Sequence, residues 1–506
     1  MKKNILMVYP EFPATYWSYE HSLPFVGKKS LQPPLGLMTV AAMLPETYEV
    51  RLIDLNVSTE GLQEGIRNAD LVFLSAMLVQ KESFREVVNL CREEGTTVVA
   101  GGPYPISSRE TIEGVDHFVL DEAEITLPRF LADYEAGQPQ TVYSSDGEKP
   151  DLCITPAPRF DIIDVNAYMM LSLQYSRGCP FNCEFCDIIE MFGRKVRAKS
   201  VDQFIHELDA VYESGFRGSL FIVDDNFIGN KRQVKTLLPK IAQWQQERDY
   251  PFKLSTEASI NLAHDPELLK LMADSGFTMV FVGIETPDQD TLAQTQKSQN
   301  LNGSIVDDIS TIQAAGIEVT GGFIVGFDTD KDDIFERQLE FIQEAGIPTA
   351  MVGMLTALPN TQLYRRLKAE NRLTEESSGN NTHRLNLNFL PKMPVDKIIT
   401  GYRNLLRKIF SPKLYFKRCM TLLEKKPVNP RFSKKLSKIE VKAFFTSLFR
   451  QTFSRYGLRY ILFLVRSFFN KKILFAEAVA MAVKGHHFFK ITRKIMKQNG
   501  RKAATV

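Results

Sequence analysis

Three cysteines fall within one short stretch, Arg177–Gly178–Cys179–Pro180–Phe181–Asn182–Cys183–Glu184–Phe185–Cys186, at the spacing C-x3-C-x2-C. Thiolates are soft ligands that suit iron and zinc. Three on one loop can each bind one iron of a cubane and leave the fourth iron without a protein ligand; full ligation needs a fourth cysteine. An open iron can accept the amino and carboxylate groups of a small molecule. A structural zinc loop is the competing reading, but zinc usually takes four ligands and the closest downstream histidine is His206. Incidental cysteines are the other alternative. Cys91, Cys153 and Cys419 are scattered, so the chain reads as a reduced metal-binding protein and not as a secreted disulfide framework.

The motif resembles that of the radical S-adenosylmethionine superfamily, where an aromatic residue precedes the third cysteine, as Phe185 does here. The resemblance implies a [4Fe–4S] cluster on Cys179, Cys183 and Cys186 that takes one electron from an external donor. The cluster then cleaves S-adenosylmethionine to a 5′-deoxyadenosyl radical. Further segments fall in order at expected strand ends. Val223–Asp224–Asp225–Asn226 stands where the family binds the cofactor's amino group through Gly-Gly-Glu, which puts Asp225 in that role although the glycines are missing. Glu257 could meet the ribose, and Gly283–Ile284–Glu285 ends another strand. Gly322–Phe323–Ile324–Val325–Gly326 resembles the GxIxG segment beside the adenine, but the family's following Glu falls on Thr329. Turn and cap chemistry is the plainer account of each segment taken alone.

These residues need a scaffold. A chain of 506 residues, 44% apolar and 24% charged, is a globular protein of two or three domains. Residues 169–360 alternate apolar strands (Leu171–Tyr175, Ser219–Val223, Lys253–Thr256, Met279–Gly283, Val319–Val325, Thr349–Met354) with amphipathic helices. The expectation is α/β: a partial (β/α)6 barrel with its chemistry at the carboxyl ends of the strands. Residues 1–140 repeat the alternation, with strands at Ile5–Val8, Glu49–Ile53, Leu71–Ser75, Thr97–Ala100 and His117–Leu120. They predict a doubly wound, Rossmann-like domain. Residues 141–168 read as a proline-rich linker, 361–400 as polar and irregular, and the chain from Tyr402 as several helices.

The first domain resembles the cobalamin-binding domain of cobalamin-dependent radical enzymes. Gln32–Pro33–Pro34–Leu35–Gly36–Leu37, Ile53–Asp54–Leu55–Asn56 and Val99–Ala100–Gly101–Gly102–Pro103–Tyr104–Pro105 carry the resemblance. Asp121–Glu122–Ala123–Glu124 departs from the usual Gly-Glu-Gly-Glu. The resemblance implies that Gly101 and Gly102 approach the corrin tail and that Ser75 lies near its lower face. No D-x-H-x-x-G segment exists, so cobalt without a histidine ligand is expected. A flavodoxin-like domain without cofactor is the alternative. A dinucleotide site is less favoured, because no G-x-G-x-x-G follows the first strand.

Residues 401–506 hold 26 Lys or Arg against Glu424, Glu440 and Glu477, about +23, so the first 400 residues carry about −21. Phe444–Phe445, Leu448–Phe449, Tyr460–Phe463 and Phe468–Phe469 interleave with these cations. Such helices either lie on an anionic membrane or cap the barrel with solvated lysines outside; nucleic acid ranks third, with no binding module to support it. No stretch reaches the ~18 uncharged apolar residues of a membrane span, and the N-terminus reads as a strand, so a cytoplasmic protein is expected, with peripheral contact to the inner membrane face as a possibility.

Together with Cys186–Asp187–Ile188–Ile189 and Gly193–Arg194–Lys195, the tail resembles hopanoid 2-methylase-like members of the family. The resemblance implies C-methylation at an unactivated carbon of a small-molecule or lipid substrate, by way of methylcobalamin and a substrate radical. Radical cyclisation or rearrangement without methyl transfer is one rival. A membrane- or RNA-binding scaffold with a structural cluster is the other.

Overall fold

The computed structural model describes residues 2–375, 377, 379, 380, 385, 387–427, 438–470 and 474–502. The first sheet contains β1 (Lys3–Tyr9), β2 (Tyr48–Asp54), β3 (Leu71–Ser75), β4 (Thr97–Gly101), β5 (His117–Val119) and β6 (Val142–Tyr143). All are parallel, in the order β2-β1-β3-β4-β5-β6. Both faces are covered, which is why the strands read as continuous apolar runs. Leu6, Val8, Val72 and Leu74 pack under the helix Lys81–Glu94, while Ile5, Met7, Leu71 and Phe73 pack under Leu35–Met43 and Ala123–Glu135. Strand order reverses between β1 and β3, and the crevice beyond their carboxyl ends is the ligand position of such sheets.

The stretch read as linker is more structured than expected. Val142 and Tyr143 extend the first sheet as β6, because backbone N–H groups of Phe118 and Leu120 find the carbonyls of Thr141 and Tyr143. Ser30 bridges to Tyr168 and the Tyr168 hydroxyl donates to Asp54 (3.0 Å), so its far end is tied back to the first domain.

The second sheet contains β7 (Met170–Leu173) and, after a small antiparallel pair β8 (Ser176–Arg177) and β9 (Arg197–Ala198), the strands β10 (Gly218–Ile222), β11 (Phe252–Glu257), β12 (Phe277–Glu285), β13 (Glu318–Val325) and β14 (Ala350–Met354). The order β7-β10-β11-β12-β13-β14 is parallel throughout, an open half barrel with helices outside. The helices start on local signals: Ser200 and Gln203 form a capping box, and Asp265 and Ser304 cap the helices Pro266–Asp274 and Ile305–Ala314.

The stretch expected to be irregular holds a helix, Gln362–Ala369, capped by Thr361 and anchored by buried Leu363 and Leu367. It is too short to show a period in sequence. The next helix, Val395–Ile409, starts before Tyr402. It is followed by Pro412–Lys425, Lys438–Thr452, Gly457–Asn470 and Phe475–Lys502. These helices grip both the barrel and the loop after β1. The Tyr402 hydroxyl donates to the Val352 carbonyl, fully buried Arg418 donates to the carbonyls of Ile347 and Pro348, and the Tyr16 hydroxyl pairs with that of Thr492. Among the described residues no helix is long and apolar enough to cross a membrane.

Candidate functional site

The cysteine loop leaves β7 at the open end of the half barrel, and the acids after β10 hold its base. Buried Asp224 accepts from the Tyr175 N–H (2.7 Å), the Ser176 N–H (2.8 Å) and the Ser176 hydroxyl (2.6 Å); Asp225 accepts from the Gly178 N–H (2.9 Å). Burial pushes the Asp224 carboxyl up to about 7 and that of Asp225 to about 6. Gly178 has φ +94°, and a Cβ there would lie 2.9 Å from the carbonyl oxygens of Gly193 and Lys195, so only glycine lets the loop close on that turn. Farther along, the Glu184 N–H donates to the Thr295 carbonyl and Gln299 Nε2 lies 3.6 Å from Cys183 Sγ.

Burial first lifts the Cys179 and Cys186 thiols above the ordinary thiol range; the charge of Asp187 comes next for Cys186, and Cys183 adds to both. Among the described residues no three donors converge on one ion position. Opposite the loop stands Lys297, which pairs with Glu285 (2.7 Å) and lies 5.8 Å from the Phe185 ring centre. Burial alone would lower its ammonium, but Glu285 and Cys183 hold it above the ordinary lysine range. Glu285 sits at φ +67° where β12 slips register against β13, and the kink turns its side chain toward Lys297. Glu257, at the end of β11, completes the acidic group. Burial first, with the charges of Asp225 and Glu285 and against Lys297, pushes its carboxyl up to about 8.

At the end of β13, Gly326 adopts φ +99° and donates to Asp330 (2.7 Å), and the Phe327 ring packs 5.9 Å from Phe185. A small crevice here is lined by Phe185, Thr295, Phe327, Leu355 and Leu363. A Cβ on Gly322 would stand 2.8 Å from the Phe281 ring. Thr329 meets the Thr291 hydroxyl (2.7 Å) instead of supplying a carboxylate.

Ser75, Gly101 and Gly102 belong to the first sheet, apart from this group. Ser75 and Gly101 are register partners at the carboxyl ends of β3 and β4. A Cβ on Gly101 would lie 2.7 Å from the Val119 carbonyl and one on Gly102 2.4 Å from the Ser75 hydroxyl, so packing within the protein itself demands both glycines. Beyond β3, Met77 stands half exposed at the crevice.

Sequence reasoning missed the bond between the two regions. Arg177, two residues before Cys179, donates to Glu122 (2.8 Å) and Glu124 (2.8 Å), and Arg197 donates to Glu122 (2.8 Å). All four side chains are nearly buried. Burial would raise the Glu124 carboxyl, but Arg177 and the Thr155 hydroxyl keep it below the usual range. The departure from Gly-Glu-Gly-Glu keeps both acids, and Asp121 takes the glycine's φ (+61°) while accepting from Ser144 and Ser145. Lys297 and Gln299 were also missed; no local pattern marks them.

Profiles of known families match in three places: the B12 binding domain over residues 29–131, the radical SAM superfamily over 173–342, and a domain of unknown function over 361–501. An uncharacterized methyltransferase of Synechocystis is 45% identical over 417 residues, 82% of this chain and 77% of that protein. The hopanoid C-2 methylase of Rhodopseudomonas palustris is 33% identical over 421 residues, 82% of this chain and 78% of that protein. The chain belongs to the cobalamin-dependent radical S-adenosylmethionine methyltransferases. The fold agrees: the solved cobalamin-dependent radical enzyme OxsB, with aqua-cobalamin and S-adenosylmethionine bound, superposes with a TM-score of 0.60 over 99% of this chain and 81% of that one, at 17% identity.

The cofactors of this methyltransferase are a [4Fe–4S] cluster, S-adenosylmethionine and cobalamin. The donor set fits. Cys179, Cys183 and Cys186 are three soft thiols on one loop, Cys179 and Cys186 each close enough to feel Cys183, and such a set can give one thiolate to each of three irons. The other cysteines stand elsewhere: Cys91 and Cys419 are buried in helices of the first and last regions, and Cys153 is on an exposed turn beside Asp151. At the first sheet, half-exposed Met77 follows β3 at the switch point, the position where such sheets take their ligands.

Proposed function

We propose that this methyltransferase acts on an unactivated carbon of a large apolar substrate, a lipid of the polycyclic kind that its R. palustris relative is named for. The observation that carries the reading is the 33% identity, over 82% of this chain, with that hopanoid C-2 methylase. Cys179, Cys183 and Cys186 hold three irons, and the buried Lys297 ammonium meets the cofactor's carboxylate. Asp225 faces its amino group, Glu257 the ribose, and the glycines at 322 and 326 the adenine. Ser75, Gly101 and Gly102 line the corrin crevice. When bound, the cofactors supply a hydrogen-abstracting radical and a transferable methyl group; the chain supplies placement and exclusion of water.

Burial serves that division of labour. Phe185, Phe327 and Leu355 wall the crevice beside the cysteines, so a reactive intermediate meets carbon and not solvent. The experiment is anaerobic reconstitution with iron, sulfide and cobalamin, then reductant, methyl-labelled S-adenosylmethionine and a membrane lipid extract. Label in a lipid product is expected, together with 5′-deoxyadenosine. 5′-Deoxyadenosine with no lipid altered would refute the substrate class. An altered lipid without label, formed together with 5′-deoxyadenosine, would favour rearrangement.

A further inference from the structure

Two helices of the basic region are arranged the wrong way round for water. In Lys438–Thr452 the buried positions are Ala443, Ser447 and Gln451, small or polar, while Val441, Phe445, Phe449 and, one step past the helix, Phe453 point outward at a spacing of four. The next helix, Gly457–Asn470, buries Tyr460, Phe463, Leu464 and Ser467. It also carries a second apolar stripe outside: Leu458, Leu462, Val465 and Phe469. Phe449, Phe453, Leu458 and Phe469 are 73–81% exposed. A helix in water buries its apolar stripe and wets the other; an outward row of this size marks a surface with a partner.

Charge says which partner. Residues 438–470 contain Lys438, Lys442, Arg450, Arg455, Arg459 and Arg466 against Glu440 alone. Lys442, Arg455, Arg459 and Arg466 are exposed, next in sequence to the outer stripe residues or one step away. A second copy of the chain would bring the same cations against themselves. An anionic bilayer offers phosphates to the cations and acyl chains to the rings at the depth where such side chains divide.

We propose that the outer face of these two helices docks on an anionic phospholipid membrane, with Phe445, Phe449, Phe453, Leu458, Leu462 and Phe469 at the headgroup–acyl boundary and the arginines among the phosphates. This surface is read from exposure and charge, and does not depend on the substrate proposed above.

The test uses the full-length protein sedimented with vesicles of phosphatidylcholine alone and of phosphatidylcholine with phosphatidylglycerol. Binding is expected only to the anionic vesicles and to weaken with salt, since the screening length falls from about 10 Å at 0.1 M to about 3 Å at 1 M. The variant Phe449→Ser/Phe453→Ser/Phe469→Ser, whose sites are exposed and leave the fold intact by circular dichroism, is expected to partition at least about tenfold more weakly. Arg455→Gln/Arg459→Gln/Arg466→Gln is expected to lose the preference for anionic lipid. Equal binding to both vesicle types, or unchanged binding by the serine variant, overturns the proposal. So does salt-sensitive binding to RNA without vesicle binding, or a dimer in sedimentation equilibrium that the serine variant dissolves.

Discussion

Replacing Glu122 with alanine removes the carboxylate that two guanidiniums share across the boundary between the first sheet and the cysteine loop. Among the described residues, Arg197 would keep only the carbonyls of Pro150 and Phe192, and Arg177 only Glu124 and Gln174. The Arg177 and Arg197 side chains are each 12% exposed and Glu122 is 2% exposed, so the orphaned charge cannot be rehydrated without opening the contact. Deleting one partner of a buried pair costs about 3–5 kcal/mol, a large share of the ~5–15 kcal/mol that holds a domain folded. Urea unfolding of the cofactor-free protein, followed by circular dichroism, should show that loss. The double variant Glu122→Ala/Arg197→Met, which removes both charges, should recover at least about half of it. Because Arg177 precedes Cys179 by two residues, the single variant should also bind less iron per chain after anaerobic reconstitution. A loss below about 0.5 kcal/mol, the scale of a solvated ion pair, with normal iron loading, would refute the clamp.

Two more outcomes follow from buried titrating groups. Glu257 has its carboxyl raised to about 8, so the stability tied to its proton is complete below pH 4.5 and is lost as pH rises through 8; Glu257→Gln should therefore stabilise the cofactor-free protein by about 1–2 kcal/mol at pH 8.5 and not at pH 5, and equal melting shifts at both pH values would contradict this. His486, pushed down to about 4 by burial and by Lys490, His21, Arg450 and Arg493, accepts a place beside the Tyr456 hydroxyl (2.6 Å) as a neutral ring. Its unfolded form gains a proton that the folded form refuses, so stability should fall by up to about 1.4 kcal/mol per pH unit between pH 6.5 and 4; His486→Gln should flatten that slope, and an unchanged slope would show that other groups carry it.

Chemistry and layout were legible wherever the signal is local. The C-x3-C-x2-C spacing is a property of one loop, and strands buried on both faces write themselves as apolar runs whatever packs on them. Hence the cysteine loop, the two parallel sheets and the acids at the ends of β10, β11 and β12 could all be read along the chain. Pairing across distance could not. Asp224 and Asp225 are adjacent and chemically alike, and only the register of β10 beside β7 assigns the first to the Ser176 turn and the second to Gly178. Lys297 becomes part of the site because a register slip in β12 turns Glu285 toward it. Val142–Tyr143 reads as linker because two residues carry no period, and it is a strand because β5 offers it free backbone groups. The helices of 438–470 show the limit most plainly. A periodic pattern says that a helix has an apolar stripe, but not which stripe the fold will cover. Packing buried Ala443 and Ser447 and left Phe445 and Phe449 outside, because the smaller residues allow the helix to approach its neighbours closely.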